Sequence, residues 1–137
     1  MENFGVAVKS FIVEDSKVLL IKRRSNDAHK PDEWDIPGGR LDIGEDPHIG
    51  LKRETKEETG LDIDIIMPLD VQHFVRDDGQ KITMIIFLCR PLTDRIKLSE
   101  EHQEYKWEEI RPDKAGFPEW IHRTVDAFLR CGLDKPV

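Results

Sequence analysis

The chain has 137 residues and a formal net charge of -7, with 38% hydrophobic and 36% charged residues. This length suits one compact domain, which we expect to span residues 1–137. The acidic balance argues against binding a nucleic-acid polymer through a basic surface, but a bound cation can still bring a phosphate-bearing small molecule to an acidic site. No apolar run approaches the roughly 20 residues that span a bilayer, and no signal peptide is evident. We therefore expect a cytoplasmic protein without a membrane partner.

The first part of the chain predicts a hairpin followed by a loop. Residues 4–13 and 17–23 are rich in β-forming residues and flank a polar turn at 14–16, which indicates two antiparallel strands. Residues 25–38 are polar and contain two prolines and a glycine, which is typical of a loop.

A short helix with clear signals at both ends follows this loop. Asp46 is a suitable N-cap, Pro47 fits the first helical position and Gly60 fits the stop. The sequence therefore predicts a helix from Pro47 to Thr59.

The second half of the chain alternates strands with polar segments before a last helix. The predictions are a strand over 62–75 interrupted at its proline, a strand over 82–89, a loop over 91–103, a strand over 105–110 and a helix from about 118 to 132. The last helix carries an apolar stripe made of Trp120, Ile121, Val125, Phe128 and Leu129. Strands with two interspersed helices predict an α/β sandwich with a mixed β-sheet.

Three glutamates lie on one face of the middle helix. At 100° per residue, Glu54, Glu57 and Glu58 fall within an arc of roughly 100°. Glu54 and Glu58 repel each other at i, i+4 by a few tenths of a kcal/mol, and acids near the C-terminal end oppose the helix dipole. A hard cation such as Mg²⁺ removes this conflict. The alternative is that the glutamates only face solvent.

Two features beside the acids strengthen the metal hypothesis. Gly38 and Gly39 let the backbone approach an ion or a phosphate more closely than a β-carbon would allow, although two glycines after a proline can also form only a turn. Arg53 precedes Glu57 by four residues, which is close enough to pair with it and hold its orientation.

These residues resemble the Nudix box, G-x5-E-x7-R-E-U-x-E-E-x-G-U, in which U is aliphatic. Eight of its nine specified positions match, namely Gly39, Glu45, Arg53, Glu54, Glu57, Glu58, Gly60 and Leu61. The departure is Thr55, where the family prefers an aliphatic residue, and we expect weaker packing there without loss of the site. The resemblance implies a Nudix-type α/β/α sandwich similar to the MutT-like proteins.

The resemblance also implies the chemistry and the site. Nudix enzymes hydrolyse a nucleoside diphosphate linked to another group, with Mg²⁺ or Mn²⁺ as cofactor. By position, the Gly39 carbonyl, Glu54, Glu57 and Glu58 are implied as metal ligands, and Glu57 or Glu54 as the general base. Arg53 is implied to orient a glutamate.

Residues outside the box add further candidates. In similar proteins a basic residue at the position of Arg23 reaches the phosphates, although Arg23 can equally be a surface charge. Glu101 and Glu104 lie in a segment that supplies an additional acid to the metal in many relatives. Three aromatic residues are candidates either for stacking on a base or for the core: Phe74, Phe117 and Trp120.

Several substrates and classes of protein are consistent with the sequence. The leading hypothesis is an enzyme that acts on a free (deoxy)nucleoside triphosphate, including an oxidised or non-standard one. ADP-ribose, dinucleoside polyphosphates and dihydroneopterin triphosphate remain open, as does a homodimer. A non-catalytic nucleotide sensor has no need of all three acids. An isopentenyl diphosphate isomerase is disfavoured because the chain is short and has no cysteine near the box.

Overall fold

The computed structural model describes residues 3–134, in which four strands, a helix, three more strands and a final helical segment build one sheet with helices on it. The strands are β1 Phe4–Glu14, β2 Lys17–Arg23, β3 Trp34–Asp35, β4 Gly38–Arg40, β5 Ile63–Val75, β6 Lys81–Pro91 and β7 His102–Glu109. The helices are α1 Pro47–Thr59, a 3-10 helix Glu119–Ile121 and α2 His122–Arg130. Across residues 3–134, no helix has the length and apolar character to cross a membrane.

The sheet is mixed, as the sequence predicts. Its strand order is β3-β2-β1-β6-β5, with β4 paired to β1 and β7 paired to β2. β1 and β6 run parallel from the Phe4–Lys81 pair to the Ile12–Cys89 pair, whereas the other described pairings are antiparallel. The helices cover the sheet, which confirms the predicted α/β sandwich.

The core lies on both faces of this sheet. On one face Phe11 packs in a buried cluster with Val125 and Phe128 of α2. On the other face Val8 packs in a second buried cluster with Leu51 of α1. Because β1 contributes to both clusters, it reads as a nearly continuous apolar run rather than an alternating one.

The predicted hairpin and the predicted helix ends are confirmed. Asp15 and Ser16 both have positive φ angles, 52° and 63°, which suits a tight two-residue turn between antiparallel strands. α1 begins at Pro47 and ends at Thr59, as local capping signals predict. The interruption of β5 is also present, because its register against β6 shifts on both sides of Pro68.

Three boundaries predicted from the sequence are wrong. The expected loop over 25–38 contains β3 and reaches into β4, which form only by pairing with β2 and β1. β7 begins at residue 102, within the expected loop over 91–103. The last helix begins with a 3-10 turn and becomes α-helical at His122, and it ends at Arg130 rather than at Gly132.

Both cysteines are free thiols. Cys89 belongs to the buried cluster under α1, and burial raises the pKa of its thiol to about 12. Cys131 is exposed beyond α2. A buried thiol with a raised pKa stays protonated at neutral pH, so Cys89 behaves as a small apolar core residue.

Candidate metal and phosphate site

Helix α1 is fixed at both ends by local capping. The Asp46 carboxylate accepts hydrogen bonds from the amides of His48 at 2.8 Å and Ile49 at 3.2 Å. Gly60 ends the helix with a φ of 78° and donates its amide hydrogen to the Lys56 carbonyl. With both ends set, the helical repeat places Glu54, Glu57 and Glu58 on one face, and the burial of Leu51 against the sheet fixes the direction of that face.

The Gly38–Gly39 segment brings two of the acids to one place. The Glu58 carboxylate accepts the Gly38 amide at 2.9 Å. A β-carbon on Gly39 would lie 2.8 Å from the carboxyl carbon of Glu54, and a β-carbon on Gly38 would collide with the Val8 carbonyl. Gly38 also has a φ of 146°, which favours glycine. Glu54 and Glu58 therefore converge on a backbone bend that requires glycine at position 38 and, with Glu54 in this position, leaves no room for a β-carbon at position 39.

The three glutamates differ in their exposure. Glu58 is buried, and burial raises its pKa to about 7, partly offset by attraction to Lys9 and by the Gly38 amide. Burial also raises the pKa of Glu54, whose side chain is 18% exposed. The Glu57 side chain is 60% exposed. The site thus has two shielded carboxylates and one that faces solvent.

Arg53 ties the acid helix to the loop before it. Its guanidinium forms two parallel hydrogen bonds of 2.9 Å to the Glu45 carboxylate, which also accepts the Asp42 amide at 3.0 Å. Arg53 also bonds Glu54 at 3.2 Å and pairs with Glu57 at 3.6 Å. The sequence predicted the Glu57 contact, but the bidentate pair with Glu45 is the closer interaction and raises the pKa of Arg53 most.

Arg23 lies beside these acids, and the negative charges of Asp35 and, more weakly, Glu58 raise the pKa of its guanidinium against the opposing effect of burial. Its Nη1 atom donates to Asp27 at 3.1 Å, and its Nε lies 3.7 Å from the Asp35 carboxylate. The Nε atom is buried without a hydrogen-bond partner. Arg23 is therefore held between two aspartates at the rim of the acid site, and its role in binding substrate stays a prediction.

The two additional acids lie differently. Glu101 precedes β7, and its charge raises the pKa of Glu54, so it approaches the acids of α1. Glu104 pairs with Lys22 of β2, which in turn pairs with Trp34. Direct cross-strand partners share a sheet face, and Trp34 packs against the cluster on the α2 face. The structure therefore brings Glu101 to the predicted site, whereas the register turns Glu104 away from it.

The donor atoms fit a hard divalent cation, although no ready-made cluster is present. Over residues 3–134, no three His, Cys, Asp or Glu side chains are grouped closely enough to hold a metal. The geometry nevertheless favours one, because Glu54 and Glu58 meet the same glycine bend and supply only oxygen. Oxygen ligands are those that Mg²⁺ prefers. A change of rotamer at Glu57, whose side chain is mostly exposed, can bring a third carboxylate toward the bend.

An open groove of about 500 Å³ lies between β3 and the start of the last helix. Its aromatic lining is Trp34, Phe117 and Trp120, and its acidic lining is Asp32, Glu33 and Glu119. The Lys106 ammonium lies 4.4 Å from the centre of the Trp34 ring, a cation–π contact that holds the indole in place. The third aromatic candidate, Phe74, is half-exposed on β5 and does not line the groove.

Sequence reasoning missed one buried ion pair. The Lys9 ammonium lies 3.2 Å and 3.3 Å from the two carboxylate oxygens of Asp35 and 3.2 Å from the Ile36 carbonyl. The partners are 26 residues apart, so no local pattern joins them. The available signal was Lys9 itself, a charged residue in the mostly apolar strand β1.

Comparisons with known proteins agree with this geometry. The NUDIX domain family matches residues 3–127. The nucleoside triphosphatase NudI of Escherichia coli K12 is 31% identical over 132 residues, which cover 89% of each chain. A MutT-like protein of Streptomyces ambofaciens is 29% identical over 111 residues, which cover 80% of this chain and 66% of that protein. The crystal structure of a MutT protein from Methanosarcina mazei Go1 superposes with a TM-score of 0.82, at 27% identity, over 96% of both chains.

The fold, the acid helix and these relatives lead to one assignment. The family match extends over most of the chain and includes α1 and the glycine bend. The NudI match covers 89% of this chain and 89% of that protein. The chain therefore belongs to the NUDIX family and is a MutT-like hydrolase that acts on phosphoric anhydride bonds of nucleotide-linked substrates.

Proposed function

We propose that this enzyme hydrolyses a free nucleoside or deoxynucleoside triphosphate, including oxidised or non-standard ones, with Mg²⁺ as its cation and Mn²⁺ as a substitute. The observation that carries the proposal is the convergence of Glu54 and Glu58 on the Gly38–Gly39 bend. Oxygen donors at such a bend suit Mg²⁺ and leave room for phosphate oxygens. The likeness to a nucleoside triphosphatase supports a triphosphate as substrate.

The proposed roles follow from the positions of the acids. The Gly39 carbonyl, Glu54, Glu57 and Glu58 hold the cation, and Glu101 adds charge from the loop before β7. When bound, the cation neutralises phosphate charge and lowers the pKa of a water molecule. A water oxygen bonds to one phosphorus while the bond from that phosphorus to the bridging oxygen breaks, and the leaving group keeps that oxygen. The proton of the water passes to Glu57 or Glu54.

The two ends of the nucleotide meet different surroundings. The positively charged guanidinium of Arg23 lies at the rim of the acid site and suits the phosphate chain. The groove beside Trp34 is aromatic and acidic, so it disfavours phosphate and suits the base. Stacking of a base on an aromatic side chain is worth about 1–3 kcal/mol, and carboxylates accept hydrogen bonds from the N–H groups of a base. Trp34 faces the α2 side of β3, whereas its neighbour Asp35 lies beside Arg23 and the acid site. Because β3 is the edge strand of the sheet, we propose that the nucleotide passes around this edge and that its base occupies the groove beside Trp34.

A substrate panel tests this function. The protein is incubated with Mg²⁺ and with canonical and oxidised (deoxy)nucleoside triphosphates, ADP-ribose, a dinucleoside polyphosphate and dihydroneopterin triphosphate, and release of phosphate and pyrophosphate is measured. We expect the highest kcat/KM for a triphosphate and loss of turnover on chelation by EDTA. Faster turnover of another compound would replace the triphosphate. No turnover at all, with nucleotide binding retained, would overturn hydrolysis in favour of a nucleotide sensor.

A further inference from the structure

The buried Lys9–Asp35 ion pair has no part in the chemistry proposed above, yet Lys9 lies against the Gly38–Gly39 bend and Asp35 lies beside Arg23. The side chains are only 12% and 7% exposed. Burying two charges is costly unless further hydrogen bonds satisfy them. Here the Lys9 ammonium also donates to the Ile36 carbonyl, and Asp35 also accepts the Ile36 amide at 2.7 Å. The pair is thus well satisfied and fixes the chain just before Gly38.

Lys9 of β1 packs directly against the Gly38–Gly39 bend. Its backbone pairs with Gly38 in the β1–β4 register. A β-carbon on Gly38 would lie 2.7 Å from the Lys9 Cα and 2.9 Å from its Cδ. The Gly38 amide in turn donates to Glu58. The stem of Lys9 therefore packs against the backbone that positions Glu58.

Asp35 links the same pair to Arg23. The Arg23 Nε lies 3.7 Å from the Asp35 carboxylate, too far for a hydrogen bond. In residues 3–134 the Arg23 guanidinium makes one side-chain hydrogen bond, to Asp27. Asp35 therefore orients Arg23 by charge alone, and the Arg23 Nη2 atom, which makes no hydrogen bond within residues 3–134, stays able to donate to an anion.

We propose that Lys9 and Asp35 are positioning residues that hold Arg23 in a fixed place relative to the Gly38–Gly39 bend. A phosphate chain that spans Arg23 and the acid site is then bound in a single register. This inference rests on the proposed function, in which Arg23 contacts the phosphates. Because Arg23 reaches the phosphates only from the place that the pair sets, we expect the pair to affect substrate binding although neither residue touches the substrate.

A double-mutant cycle tests the link between Asp35 and Arg23. Asp35→Asn, Arg23→Gln and the double variant are compared in kcat and KM, and in the dissociation constant of a non-hydrolysable triphosphate analogue. We expect each single variant to raise KM and the dissociation constant about tenfold or more. The double variant is expected to be no worse than Arg23→Gln alone. If the two effects multiply instead, Asp35 does not act through Arg23 and the proposal fails.

A matched control separates positioning from general destabilisation. Asp70 is another buried aspartate, hydrogen-bonded to Gln72 and Thr124 and paired with Arg123 on the α2 face. Asp70→Asn is expected to lower the melting temperature without raising KM or the dissociation constant. If Asp70→Asn raised KM or the dissociation constant as much as Asp35→Asn does, the proposal would be overturned.

A second variant covers the case in which Asp35→Asn does not fold. Lys9→Met with Asp35→Asn leaves neither buried charge unpaired, and we expect a folded protein that keeps the binding defect. Wild-type binding by this variant would overturn the proposal. The double-mutant cycle also measures the dissociation constant of the analogue, so it tests the positioning role even if the enzyme hydrolyses none of the nucleotides. A lack of hydrolysis would refute only the proposed function.

Discussion

Helices α1 and α2 cover opposite faces of the same sheet, but different forces hold them. α2 and the turn before it bury Ile121, Val125 and Phe128 in one apolar cluster. On α1 the one large apolar residue that is buried is Leu51, and Ile49 is 65% exposed. α1 instead depends on its caps, on the Arg53–Glu45 pair and on polar contacts with the strands. The helix that carries the acids thus contributes little to the core, and the opposite helix supplies apolar burial.

Removing the aromatic anchor of α2 should have the largest effect. Phe128 is buried and lies 5.8 Å from Phe11, centroid to centroid. We expect Phe128→Ala to lower the free energy of unfolding by about 3–5 kcal/mol, because it removes apolar contacts and leaves a cavity. Urea denaturation gives the value. The control is Ile49→Ala on α1, for which we expect a change within about 0.5 kcal/mol. Similar losses for both variants would contradict the division between the two helices.

Changing an acid on α1 should lower activity and leave stability unchanged, in contrast to the loss of stability expected for the change on α2. Glu57 is mostly exposed and its closest cation is Arg53 at 3.6 Å. We expect Glu57→Gln to reduce kcat at least about a hundredfold, the usual scale for a lost general base, with an unchanged melting temperature. Asp62→Asn is the matched control, since it removes another exposed carboxylate, one that pairs with Lys56. Turnover near that of the wild type in Glu57→Gln would remove Glu57 from the mechanism.

The smallest effect is expected where α1 departs from the family pattern. Thr55 is fully buried, and its hydroxyl lies 3.0 Å from that of Ser10, which also donates to the Pro37 carbonyl. Replacing both partners of a buried hydrogen bond by apolar groups of similar shape can be nearly neutral. We expect Ser10→Ala with Thr55→Val to change the free energy of unfolding by less than about 1 kcal/mol and to keep activity. A larger loss than for Thr55→Val alone would show that the hydrogen bond from Ser10 to the Pro37 carbonyl also contributes to stability.

The sequence predicts those parts of the fold that depend on neighbouring residues. The ends of α1 follow from Asp46, Pro47 and Gly60, because capping acts within a turn of the helix. The limits of β3 and β7 depend on pairing with β2, which no local pattern encodes. The sequence also predicts weaker packing at Thr55, because it does not show that the Thr55 hydroxyl lies beside that of Ser10, 45 residues away.

The same distinction applies to the site. Glu54, Glu57 and Glu58 are predictable because fixed spacings on one helix place them on one face. The separation of Glu101 from Glu104 is not, because it depends on where β7 begins: Glu101 precedes the strand and Glu104 lies within it, paired with Lys22 of β2. The Lys9–Asp35 pair likewise joins two strands that come together only in the folded protein.

The parallel pairing of β1 with β6 has a consequence for the order of folding. It joins residue 4 to residue 81 and residue 12 to residue 89, so a long loop must close before the pairing is gained, and such closure is entropically unfavourable. Contacts between distant parts of a chain slow folding relative to local ones. During synthesis on the ribosome, the first strand emerges long before its partner. Its apolar edge is then exposed to solvent or to chaperones until the second half of the chain has been made.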